Sequence, residues 1–271
     1  GDVFVARYDS NGQLVWVKGA GGTSDDRARS VAFDRAGNVL VAGGFSTSIT
    51  FDSVILSSLS TSYEIFIAKY GVTGNVLWAR SPGTAANDTS TFTYDDEATA
   101  LAVDRDANIF FAGYFQATGI FASNTVVSAS TNAPDFFLAK YDDAGNALWM
   151  RTGGGVTADS ALALTTDNAG NALVAGSFNG PAQFGGQTIA GIGGPDAFAA
   201  MFDSTGNLLK FRKLGGTGDD AAQAAAYDGR GNLVLGGFYT GPAVVGSTPL
   251  PGTGGRDAFL TKLALYDPDF S

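Results

Sequence analysis

Four aspartates recur at one place in a repeating pattern: Asp26, Asp96, Asp159 and Asp220 each stand eight residues before a second aspartate, Asp34, Asp104, Asp167 or Asp228. In three copies another acid precedes the first, as Asp25, Asp95 or Asp219, and Ala158 replaces it in the remaining copy. Carboxylates at a fixed spacing suit two kinds of chemistry. A ring of them can hold a hard cation such as calcium, which takes oxygen ligands alone. A pair of them can do acid–base work on a glycosidic bond, as in a glycosidase or lyase. With no Cys and no His in the chain, thiolate chemistry, Cys-ligated zinc and the commonest general base are excluded. No Gly-x-Ser-x-Gly elbow, phosphate loop or metal-ligand spacing selects a reaction. The plainer reading is structural: each Asp accepts backbone N–H groups and shapes a turn. A turn is needed in every copy, whereas a ligand site seldom is. The second aspartates, as in DRDAN at 104 to 108, lie in five-residue hairpin turns, too short for a calcium loop of the EF type.

These acids sit in a sentence spoken four times. VAFDRAGNVLVAGGF at 31 to 45 returns as LAVDRDANIFFAGYF at 101, LTTDNAGNALVAGSF at 164 and AAYDGRGNLVLGGF at 225. A second sentence interleaves with it, from DVFVARYDSNGQLVWVK at 2 to DAFAAMFDSTGNLLKFR at 196, and a fifth copy opens as DAFLTKL at 257. The aligned Phe4, Phe66, Phe137, Phe198 and Phe259 stand 62, 71, 61 and 61 residues apart, the mark of a propeller, solenoid or array. Each half-unit is a β-branched and aromatic run, an Asp-x-x-Gly-Asn turn or close variant, and another such run, which predicts a hairpin. Two hairpins give four strands, A (near 28 to 34), B (39 to 45), C (64 to 70) and D (75 to 80). Their faces are apolar on both sides, so each sheet must be covered twice. Four-stranded antiparallel blades stacked around an axis, a β-propeller, meet that demand. Small residues of strand A suit the crowded inner position, and Trp16, Trp78 and Trp149 of strand D the wide rim. Between strands B and C, 17 to 19 residues in every unit predict a supplementary hairpin.

The expectation is one all-β domain over 1–271, with units beginning near 2, 64, 135, 196 and 257. Four to five blades, with five preferred, or a segment of a larger ring, fit the strand count. The 271 residues and 45% hydrophobic content suffice for a sizeable core. A net charge of -10 repels phosphate backbones and anionic membranes, which argues against nucleic acid as a partner. No apolar run reaches the ~18 residues of a membrane span. The chain opens at Gly1-Asp2 inside a strand pattern, without Met, and reads as a mature or excised piece of a larger chain or assembly.

The order GGTSDDRARSVAFDRAGNVLVAGGF, then an FGG-like segment, then DAFxAKYDxxGNxLW resembles the bacterial SBBP β-propeller repeat over almost the whole chain. The strand arrangement is also similar to the NHL-type blade. That resemblance implies a secreted or cell-surface bacterial protein. Three departures stand out: Lys210 replaces the strand D tryptophan in the fourth copy, no D strand follows the fifth, and TAANDTSTFTY interrupts the second before its A strand.

The function expected is a non-catalytic module binding a protein or surface polymer, with lectin-like or calcium-dependent carbohydrate binding as the alternative. Candidate ligand-binding residues are Phe92, Tyr94, Asp95, Asp96 and Glu97, at and beside the interruption, because a polar loop on a rigid scaffold with two rings can stack on a sugar or side chain. Asp26, Asp96, Asp159 and Asp220 are the candidate metal ligands, with calcium as the possible cofactor. Strand C carries Arg7, Lys69, Lys140 and Lys262, with Met201 in the fourth copy, and these are expected at blade edges beside carboxylates.

Overall fold

A computed structural model of the chain describes residues 1–58, 62–83, 95–121, 124–245, 248–252 and 254–265. Among them there is no helix. Strands β1 (Val3–Tyr8) and β2 (Leu14–Ala20) form the first sheet. β3 (Asp26–Phe33) and β4 (Val39–Ser46) precede a small hairpin, β5 (Ser48–Phe51) and β6 (Val54–Ser57), and join β7 (Tyr63–Tyr70) and β8 (Val76–Arg80) in the second sheet. The third repeats this with β9 (Glu97–Val103), β10 (Ile109–Phe115), hairpin β11 (Thr118–Phe121) and β12 (Asn124–Val127), β13 (Asp135–Tyr141) and β14 (Ala147–Gly155). The fourth has β15 (Ser160–Thr166), β16 (Ala172–Phe178), hairpin β17 (Ala182–Phe184) and β18 (Gln187–Ile189), β19 (Asp196–Phe202) and β20 (Leu208–Gly216). The fifth has β21 (Ala221–Tyr227), β22 (Asn232–Thr240), hairpin β23 (Ala243–Val245) and β24 (Thr248–Leu250), and β25 (Arg256–Ala264). Every pairing is antiparallel, and β22 pairs with β25, not with β1.

Local chemistry explains the hairpins. In the Asp-x-x-Gly-Asn turns one carboxylate oxygen accepts the Asn backbone N–H and the other accepts its side-chain amide. Asp34 and Asn38, Asp142 and Asn146, Asp167 and Asn171, Asp203 and Asn207, and Asp228 and Asn232 all do so, at 2.6–3.0 Å. In DRDAN the glycine's left-handed place falls to Ala107, at φ 61, a backbone region costly for a residue with a Cβ. The Gly of AGG, AGY and AGS has another cause. Strands β3, β9, β15 and β21 carry a bulge opposite it, and a Cβ on Gly43, Gly113, Gly176 or Gly237 would overlap the carbonyl oxygen of Arg27, Glu97, Ser160 or Ala221.

The sheets stack face on face, and the core lies in the four junctions between them. The inner strands β3, β9, β15 and β21 are successive neighbours. Hydroxyls fasten them: Ser30 Oγ accepts Leu101 N–H at 3.1 Å, and Thr99 Oγ1 donates to the Ala161 carbonyl at 2.6 Å. Each junction has a direction. One face of strand C, Val3 and Val5, Ile65 and Ile67, or Phe136 and Leu138, looks forward to the next sheet, whereas Phe66, Phe137 and Phe198 look back. The supplementary hairpins also reach back: β17 pairs with β14, and β23 with β20.

On the rim the tryptophans act as latches. Trp16, Trp78 and Trp149 donate their indole N–H to the carbonyls of Val72, Asp143 and Ser204, all in the C–D turn of the next sheet, at 3.1, 3.1 and 2.9 Å. In two of the turns the glycine makes room for the ring: a Cβ on Gly74 or Gly145 would stand 3.0 or 2.9 Å from the indole of Trp16 or Trp78. The strand C cations do parallel work: Lys69 and Lys262 pair with carboxylates as expected, while Arg7 and Lys140 reach carbonyls of the next sheet. Arg7 donates to the Val72 and Gly37 carbonyls, Lys140 to the Ser204 carbonyl, and buried Lys69 pairs with Asp143 ahead and Asp34 in its own sheet. Lys210 and Met201 replace latch and cation in the one complete sheet whose forward neighbour has no C–D turn among the described residues. One cause therefore accounts for both departures.

Trp78→Phe removes the indole N–H and keeps an aromatic ring. It is expected to cost ~1 kcal/mol, the usual net value of one hydrogen bond, measured by chemical denaturation. A loss near zero would reduce the latch to packing.

Candidate interaction surface

The crossing aspartates are anchors of the backbone. Asp159 accepts Gly155 N–H at 2.7 Å and Asn179 N–H at 3.0 Å; Asp220 accepts Gly216 N–H at 2.7 Å and Thr240 N–H at 3.1 Å. Asp26 takes Gly22 N–H at 3.0 Å, and Asp96 takes Gln116 N–H at 2.8 Å. At Asp159 and Asp220 the crossing thereby ties the end of one sheet to the B strand of the next. All four are buried. Burial pushes the carboxyls of Asp26 up to about 6 and Asp159 up to about 7, and raises that of Asp220, against the pull of those N–H donors. Nearby acids at the start of strand C add to the rise, Asp2 beside Asp26 and Asp135 beside Asp159. Asp135 is itself pushed up to about 6 by burial. Among the described residues no three His, Cys, Asp or Glu side chains converge as metal ligands. The four candidate metal ligands sit in separate crossings, each occupied with its own turn.

Of the candidate ligand-binding residues, Phe92 and Tyr94 lie outside the described residues. Asp95 accepts Tyr63 N–H at 3.3 Å, and Asp96 serves its crossing. Glu97 is buried, accepts Arg29 Nε at 2.8 Å and receives the Tyr114 hydroxyl at 3.1 Å. Arg27 lies over the Tyr63 ring, 4.1 Å from its centre. Burial, then Glu97, raises the Tyr114 hydroxyl well above its usual range, so it stays a donor at neutral pH.

This cluster has no copy elsewhere. Where it carries Arg29, the other repeats have Thr99, Leu162 and Gln223; where it carries Tyr114, they have Gly44, Ser177 and Phe238. Arg27 and Arg29 are exposed, Tyr63 and Tyr114 half-buried. Sequence reading missed all four, although their departure from the repeat was the signal. A second concave feature, a groove of about 880 Å³ between β20 and the β23–β24 hairpin, is lined by Arg212, Lys213, Ile192, Val244 and Pro249 among others. Arg and Tyr on a rigid scaffold are the residue types that dominate protein interfaces.

Fold and surface together define an all-β array of stacked antiparallel sheets with an aperiodic patch at the junction of the second and third sheets. No family model matches the chain. It is similar to an uncharacterized WD repeat-containing protein of Acanthamoeba polyphaga mimivirus, 27% identical over 210 residues, and to the regulatory protein FlaEY of Caulobacter vibrioides, 27% identical over 239 residues. The matches cover 66% and 83% of this chain but 14% and 24% of those relatives, so the chain spans a quarter of their length or less.

Proposed function

We propose that the chain is a non-catalytic, β-propeller-type module whose task is to bind another protein. WD repeats build propeller blades, and the likeness to a WD repeat-containing protein agrees with the recurring four-stranded unit, as does the SBBP-like order of its motifs. The observation that carries the reading is the aperiodic cluster of Arg27, Arg29, Tyr63 and Tyr114 on a scaffold whose turn and crossing aspartates repeat. Periodic residues answer to the fold; the aperiodic ones are free to answer to a partner.

The test is affinity capture with wild type, an Arg27→Ala/Tyr63→Ala variant and a rim control, Leu209→Ser, at an exposed residue. A partner retained by wild type and control, and weakened at least ~10-fold by the double variant, is the expected result for loss of hot-spot side chains. Equal retention by all three would remove the cluster from the function. The carbohydrate and calcium alternative has its own measurement: on this reading a glycan array stays dark, and calcium or chelator leaves the melting temperature unchanged.

A further inference from the structure

The groove between β20 and the β23–β24 hairpin lies where the repeat is broken twice. On the hairpin of the fourth sheet, the outward face carries Gln183 and Thr188, both exposed and bonded to each other at 2.6 Å. In the fifth sheet the same two places hold Val244 and Pro249, so a polar pair has become an apolar one. Gln183 and Thr188 stay exposed although their sheet has its D strand and a further sheet after it. This face is therefore one that the repeat itself leaves open. The second break is on β20, where Lys213 stands in the place of Gly19, Ser81 and Thr152 of the earlier sheets. Its Nζ donates to the Ala190 carbonyl at 3.0 Å, one of the three bonds an ammonium can make. Asp196, the carboxyl that feels this charge, is wholly buried. Arg212, which repeats Lys18, Arg80 and Arg151, adds a second cation, and Ile192 faces Val244 across the opening with each 49% exposed.

We propose that this groove takes an extended acidic segment of a partner protein, with an Asp or Glu side chain at Lys213 and Arg212 and a neighbouring apolar side chain over Ile192, Val244 and Pro249. Charge selects the occupant. The chain has 26 acidic residues against 16 basic ones, yet among the described residues the groove is lined by two cations and no carboxylate. Its local sign is opposite to that of the molecule, and complementary charge at a contact confers specificity. Cationic clusters are a recurring means of reading acidic motifs. The backbone adds little, because β24 is the edge strand of its sheet and Pro249 at its centre has no N–H to pair with an incoming strand. The segment is thus held by its side chains over the face, not by strand addition at the edge.

The test is selection of a displayed library of random dodecapeptides on the wild-type chain, followed by fluorescence anisotropy of the recovered peptides. Those peptides should carry Asp or Glu beside Leu, Phe or Trp. Two variants install residues that the scaffold already carries at the same places in neighbouring sheets, so the melting temperature should hold: Lys213→Thr, and Val244→Gln/Pro249→Thr. Each should weaken peptide binding at least ~10-fold, as loss of an anchoring side chain does. Added salt should weaken the wild type further and Lys213→Thr less, since screening acts on the charge that the variant lacks. A library that yields no binder would overturn the proposal, and so would recovered peptides that are neutral or basic. Peptides bound equally by wild type and both variants would overturn it as well. The Arg27→Ala/Tyr63→Ala variant should bind the peptides unchanged, because that cluster lies at another junction, so failure at either surface leaves the other reading standing.

Discussion

Gly176→Ala should destabilise the protein by at least ~3 kcal/mol, at the upper end of what overpacking costs, and the loss should be visible as a lowered denaturation midpoint with an unchanged slope. The cause is backbone against backbone. The new Cβ would overlap the Ser160 carbonyl oxygen and stand 3.0 Å from both the Ala161 Cα and a carbon of the Phe198 ring. No rotamer relieves such a contact, so the β15 bulge must open and with it the register between Ala161 and Ala163. Gly186→Ala is the control. That glycine has φ +81 with nothing within 4 Å of a new Cβ, so only the left-handed conformation is penalised, at ~1 kcal/mol. Similar losses at both positions would mean that conformation, not close approach, dictates the repeated glycine.

The second large effect is a stability optimum on the acid side of neutrality. Burial raises the carboxyls of Asp26 and Asp135 to about 6 and Asp159 to about 7, and raises Asp196 and Asp220 as well. One oxygen each of Asp26, Asp135 and Asp196 finds no hydrogen-bond partner, a place better suited to a neutral carboxyl than to a charge. A raised native pKa means that the folded state holds the proton more tightly than the unfolded chain, whose carboxyls titrate near ~3.9. Their contribution is therefore fully present below ~4 and is lost as pH rises through 6 to 7. The turn aspartates oppose this on the acid limb. Asn207 and Thr205 hold the Asp203 carboxyl down at about 2 against the cost of burial, and Asp34, Asp142 and Asp228 are lowered too. What they contribute is present above ~4 and lost below it.

The melting temperature should thus peak between pH ~4 and ~6. Since a pKa unit is worth ~1.4 kcal/mol and each kcal/mol moves Tm by ~2–4 °C in a domain of this size, the fall from pH 5 to pH 8 should be roughly 10–20 °C. Asp159→Asn, which cannot ionise, should start lower by ~1–3 kcal/mol because its amide faces one of two backbone donors, and should show a flatter alkaline limb. A Tm that climbs steadily to pH 8 would contradict the neutral, buried carboxyls.

Much of this was legible in the residues because it is local. The Asp-x-x-Gly-Asn turn closes over four residues, and the strands on either side declare themselves by β-branched and aromatic content. The extra hairpins were readable as well, from paired apolar runs in a stretch too long for a bare loop. Asp159 was recognisable as a turn-former, but its two donors lie four residues before it and twenty after, on different sheets, so the crossing it ties was not. Lys69 was expected beside carboxylates, but which ones was out of reach, since Asp143 belongs to the turn of the next sheet. The Arg27 and Tyr63 cluster was not legible because Arg29, Tyr114 and Glu97 are far apart along the chain or on different sheets and meet only where the second and third sheets stack.

By itself the sequence determined the unit, its strands and turns, and the glycines and aspartates on which they depend, since those interactions are hydrogen bonds and steric limits between residues close along the chain. Only the tertiary structure decided which way each sheet faces and what the tryptophans and lysines grip. Hydrophobic burial has no direction of its own; a strand apolar on both sides announces that it must be covered, and the stack alone determines by what.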